Sequence, residues 1–130
     1  MAELVERLRH AQGRLVTSRN KKQRHSNSPT LPNSPNAMHV YSARLELQLP
    51  SRTLKEKRSI IRQLKARLPQ RFNVAVAEVD LHDAVAAATL GVATVSSDAG
   101  YAVGLLERLA PWIERERPDV MVIAVEIEGW

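Results

Sequence analysis

Polar and apolar residues alternate through residues 42–49, with Ala43, Leu45, Leu47 and Leu49 set against Ser42, Arg44, Glu46 and Gln48. A period of two marks a strand with one buried face, and Pro50 ends it. The period then lengthens. With Leu54 at zero and about 100° per residue, Leu54, Ile60, Ile61, Leu64 and Leu68 fall within an arc of about 120°. That predicts a helix over residues 54–68. Thr53 and Glu56 have capping-box spacing at its start, and Pro69 is expected to stop it by disfavouring helical dihedrals at Leu68. A second strand is predicted over residues 72–79 and a third over 89–96, the latter apolar on both faces as a central strand should be. Residues 80–87 turn the chain, with 84–88 readable as a helical turn or as a strand extension. Asp98 is a candidate N-cap for a second helix with Ala102, Leu105, Leu106, Leu109 and Ile113 on its apolar face. Pro111 predicts a kink or break there, and Pro118 closes the element. The last strand is predicted over residues 120–128, with Met121, Ile123, Val125 and Ile127 on one face.

This β-α-β-β-α-β order is that of an α+β, ferredoxin-like fold, a four-stranded antiparallel sheet with both helices on one face. Right-handed crossovers place the first and third strands centrally. The chain of 130 residues, 44% hydrophobic, suits one such domain over residues 38–130. Residues 1–16 show weak helical periodicity. Residues 17–37 are rich in Ser, Asn and Pro around Arg19, Lys21, Lys22 and Arg24. They hold too little apolar surface to offset chain entropy and read as a disordered linker. Residues 1–37 are therefore a basic N-terminal extension. It reads either as an arm that touches RNA or, the favoured reading, as a leader of an over-called start with Met38 the initiator, since regular patterning begins there.

The chain has no cysteine, which excludes disulfides and thiolate metal sites. No apolar run matches a bilayer span and no signal-peptide core opens the chain, so a cytoplasmic protein is expected. The net charge of +5 resides in residues 1–37; the remainder sums to zero but is lopsided. Residues 52–71 carry eight basic side chains against Glu56, and residues 72–130 carry three basic against ten acidic ones.

Candidate chemistry is sparse. The four histidines have no paired ligand spacing, and no metal or cofactor is expected. Acylphosphatase chemistry on this fold needs a glycine-rich phosphate cradle with an arginine and an asparagine on the third strand; Arg52 alone does not supply that. His82 between Asp80 and Asp83 has the composition of an acid–base cluster, but a solvated turn explains it better. No catalytic residue is assigned and no enzyme is expected.

The first helix is more informative. Lys55, Arg58, Arg62 and Lys65 lie together beside the apolar arc, a stripe suited to phosphate contacts with RNA. Aromatic stacking on the sheet is not expected, because the third strand has no aromatic residue. Lys57 falls inside the apolar arc, where an unpaired ammonium is costly. The parity of Glu78 with Val74 and Val76 predicts a Lys57–Glu78 ion pair, with Asp80 the alternative partner. Residues of opposite parity, Ala75, Ala77, Ala93, Val95, Val122 and Ala124, with Val79 and Gly91, predict a bare sheet face of small apolar side chains. Such a face suits a homodimer.

The strand ending in Leu-Pro, then T-L-K-E-K-R, R-F-N-V-A-V-A-E-V-D and T-L-G-V-A-T-V-S-S-D, resembles the YlxP-like family of small bacterial proteins of unknown function over residues 38–130. The resemblance implies a ferredoxin-like fold and a bacterial cytoplasmic protein. The family's frequent gene neighbourhood of translation-initiation and ribosome-maturation factors implies a role near the ribosome. The family usually carries an aromatic after the Asp that follows the second strand; here Asp83 is followed by Ala84 and Val85. The expectation is an RNA- or ribosome-associated accessory factor. Its alternative is a non-enzymatic homodimeric module that assembles through the sheet face.

Overall fold

The structure is a computed structural model that describes residues 15–20 and 37–130. The elements run β1 (Leu15–Asn20), β2 (His39–Gln48), α1 (Leu54–Arg71), β3 (Ala75–Asp80), β4 (Ala87–Ser96), α2 (Ala99–Glu107), α3 (Leu109–Glu116) and β5 (Met121–Gly129). From β2 onward this is the ferredoxin-like β-α-β-β-α-β order, with the second helix in two pieces. The sheet order is β1-β5-β2-β4-β3, so β2 and β4 are central to the four antiparallel strands.

β1 is an addition to that expectation. It runs parallel to β5 from Leu15 opposite Ala124 to Asn20 opposite Gly129. Residues 17–20, read from sequence as the start of a linker, are therefore strand: a free edge of β5 offers ladder partners that composition alone does not reveal. The rest of the extension lies outside the described residues.

α1 begins as its cap predicts, with one difference. The Thr53 hydroxyl accepts from the Glu56 N–H at 3.1 Å, but the Glu56 carboxylate reaches back to the Arg52 N–H at 2.7 Å rather than to Thr53. Pro69 does not stop the helix at Leu68. It sits in the last turn, where its missing N–H deprives only one carbonyl, and the Phe72 N–H closes the end onto the Leu68 carbonyl at 2.8 Å. The break attributed to Pro111 falls three residues earlier, at Arg108. Pro111 then lies in the first turn of α3, where an N–H has no intrahelical acceptor. The Asp98 carboxylate caps α2 by accepting from the Tyr101 N–H at 3.1 Å.

The helices cover one sheet face and enclose a core of Leu45, Leu47, Leu64, Leu68, Leu90, Leu106, Leu109, Ile113 and Ile127. β5 departs from the alternation expected of it. Pairing with β2 shifts register between Glu46 and Leu47, so that Ala124 faces Glu46 but Val122 faces Leu47. The extra residue, Ile123, is turned outward, and Val122 becomes fully buried. Glu114 of α3 supports the irregularity, its carboxylate accepting from the Val122 N–H at 2.9 Å. Met121 and Ile123 are thus not core residues, and Val122 does not belong to the bare face.

Candidate nucleic-acid interface

The fold presents the basic side chains of α1 in two settings. Lys55, Arg58, Arg62 and Lys65 are exposed, and none pairs with a carboxylate among the described residues. On the opposite flank, Gln63 accepts from Arg117 at 2.8 Å and Arg67 lies 3.8 Å from Glu116. Arg117 also forks onto Asp119 at 3.0 and 2.9 Å. Those hydrogen bonds hold the Asp119 carboxyl below its ordinary range and raise the Arg117 guanidinium above its own.

Lys57 is 2% exposed. Its ammonium lies 3.0 Å from Glu78 Oε2 and donates to the carbonyls of Leu81 at 2.6 Å and Ala84 at 2.7 Å, with the His82 carbonyl at 3.3 Å. Glu78 Oε2 makes no directed hydrogen bond. The ammonium's directed bonds go to the carbonyls, and the carboxylate contributes charge at 3.0 Å. Leu81 has φ 60°, an uncommon conformation for a residue with a side chain. Its carbonyl accepts the shortest of the ammonium's bonds, and its N–H donates to Asp80 Oδ1 at 2.7 Å. Lys57 therefore organises the β3–β4 connection. Asp80, the alternative partner, instead meets Arg44 at 3.1 Å. His82 lies 3.2 Å from the Glu78 carbonyl. No three of the described His, Asp and Glu residues are arranged to hold a metal.

The bare sheet face is unevenly built. Across the sheet, Ala75, Ala93 and Ser42 stand in one row with Glu128, and Ala77, Gly91 and Arg44 in the next with Glu126. The β3–β4 half is apolar and the β2–β5 half polar. Ala75, Ala77, Ala93 and Val95 are exposed, and Ala124 is half-buried on the polar side. A shallow groove of about 500 Å³ follows the boundary between the halves, with Trp130 at its rim. The Trp130 indole N–H donates to the Ser42 hydroxyl at 2.8 Å.

A second groove has no counterpart in the sequence reading. It gathers arginines and aromatics from the end of α1, from α2 and from α3. These residues are too far apart in the chain for spacing to reveal them; an isolated glycine inside α2, Gly104, was the one local signal.

No curated protein matches the chain. Among solved structures, the de novo designed protein Foldit4 is similar at 16% identity with a TM-score of 0.44, the match covering 72% of this chain and 97% of that one. Residues 40–127 match the family model described as protein of unknown function (DUF503), of which YlxP-like is another name, and the chain belongs to that family.

Proposed function

We propose that this domain is a non-enzymatic, cytoplasmic RNA-binding accessory protein that contacts the phosphates of a structured RNA, such as that of a ribosomal subunit, through the outer flank of α1. The observation that carries this reading is the set of four exposed cations, Lys55, Arg58, Arg62 and Lys65, with no carboxylate partner among the described residues. Lys57 is excluded from that set, since its charge is spent internally. Phosphate contacts of this kind release counterions, so affinity falls steeply with salt. Four contacts give a slope of log K against log salt of about −3 to −4. The test is binding of the full chain to ribosomal subunits across a salt series. The Arg58→Glu, Arg62→Glu, Lys65→Glu triple variant should lose low-salt binding while melting as the wild type does. Salt-independent binding, or none by the wild type, removes this reading.

A homodimer is the second reading, favoured by Val79 and Val95, which are 45% and 46% exposed on the apolar half of the sheet face. Large side chains left in water beside exposed alanines mark an association surface, and twofold pairing is the commonest closed arrangement. Ala93→Glu would place an unpaired charge at its centre and should convert a dimer to monomer in sedimentation. A wild type that sediments as a monomer at high concentration removes this second reading.

A further inference from the structure

The groove between the end of α1 and the helices α2 and α3 encloses about 630 Å³. Phe72, Tyr101 and Trp112 line it together with Arg71, Arg108 and Arg115. Phe72 and Trp112 meet edge to face with centroids 5.8 Å apart, which fixes both rings. The Arg71 guanidinium lies 6.0 Å from the Phe72 centroid and that of Arg108 lies 5.9 Å from the Tyr101 centroid. No carboxylate among the described residues pairs with any of the three guanidiniums. Glu107 is the acidic residue on the rim, so the described lining keeps a net positive charge. Arg108 and Arg115 are two of the three basic residues that residues 72–130 set against ten acidic ones, and Arg71 comes from the basic segment before them.

Gly104 supplies an independent observation. It lies inside α2, faces the groove, and a Cβ built on it meets nothing within 4 Å. No packing neighbour demands glycine there, although glycine is the poorest helix former after proline. Its effect is to leave the helix surface bare at the groove, which permits close approach by a flat group.

We propose that this groove binds a nucleotide. A planar base stacks on the face of Tyr101, which is 57% exposed, over the bare surface at Gly104. The phosphate is held by Arg108 and Arg115, whose guanidiniums match phosphate geometry. An acidic peptide would use the charge but not the aromatic faces; a nucleotide uses both. The nucleotide is either free or a unit of single-stranded RNA. This site goes beyond the α1 stripe, lies on different residues and stands or falls separately.

The test is a titration of the isotope-labelled full chain, followed by amide resonances, with AMP, a short oligoadenylate and inorganic phosphate. AMP should move the resonances of Tyr101, Gly104 and Arg108. Tyr101→Ala should weaken it about tenfold, the loss of one base-stacking platform. Gly104→Leu fills the groove with a better helix former and should abolish the response while raising the melting temperature. The triple α1 variant should bind AMP as the wild type does, which separates this site from the RNA reading. Tighter binding of oligoadenylate than of AMP supports a strand as the source, and equal binding supports the free nucleotide. The proposal is overturned if AMP at millimolar concentration leaves these resonances unmoved. It is also overturned if inorganic phosphate alone reproduces the shifts, or if folded Gly104→Leu binds AMP unchanged.

Discussion

The two flanks of α1 carry similar side chains with different fates. On the flank facing α3, Arg67 and Gln63 meet Glu116 and Arg117. At the start of the helix Lys57 is drawn inside and held by Glu78 and three carbonyls. On the outer flank Arg58, Arg62 and Lys65 meet no described carboxylate. The helical wheel alone separates the flanks, but what the neighbouring elements offer decides which cations stabilise the fold and which remain free for a ligand. A basic helix is therefore not one surface: its formal charge overstates what a polyanion can reach.

Removing the internal cation should break the comparison most strongly. Lys57→Ala leaves the Glu78 carboxylate and the carbonyls of the β3–β4 connection without their donor. The expected loss is about 3–5 kcal/mol, that of breaking a buried pair by deleting one partner, read by denaturant unfolding. A loss no larger than that of a surface substitution would show that water replaces the ammonium. Next comes the paired flank: Arg67→Ala should cost less than about 1 kcal/mol, since its contact with Glu116 is long and exposed. On the outer flank Arg62→Ala should change stability by no more than about 0.5 kcal/mol in either direction.

The smallest effect concerns Asp119. Its carboxyl is held below the ordinary range by the Arg117 hydrogen bonds, so the folded state binds its proton less readily than the unfolded chain does. The resulting stabilisation is fully present above the ordinary carboxylate range, about pH 4. It is lost as pH falls through the lower folded value. The pair is largely exposed, so the effect is small. Asp119→Asn should remove it, leaving wild type and variant closer in melting temperature at acid pH than at neutral pH.

What could be read from sequence divides along a physical line. Regular periods were legible: the alternation of β2, the apolar arc of α1 and the Asp98 cap all rest on near-neighbour spacing. Lys57 stood out because its angle lay among leucines and isoleucines. The carbonyl cage around it was not legible, because it depends on Leu81 adopting a positive φ, a conformation that a leucine does not announce. In β5 one outward-turned residue shifted the alternation and moved Val122 to the interior, since a period-two argument carries no information past a bulge. The groove arginines escaped for a different reason. They converge only after α2 and α3 break apart at Arg108 and pack beside the end of α1.

The shape of the outer strand β3 bears on what can pair with its free edge. β3 is one of the two end strands of the sheet, and its sequence, Ala75–Asp80, is mostly apolar. Its pairing with β4 shifts register between Glu78 and Asp80, leaving Val79 as the extra residue. Val79 leans over Gly91, with a methyl carbon 2.7 Å from where a Cβ would stand. Glycine in a central strand weakens it, but here it gives the bulge its space. A bulged end strand twists away from the flat geometry that another strand needs for docking. The missing side chain of Gly91 thus leaves room for a bulge that bends this edge away from the geometry of a pairing template.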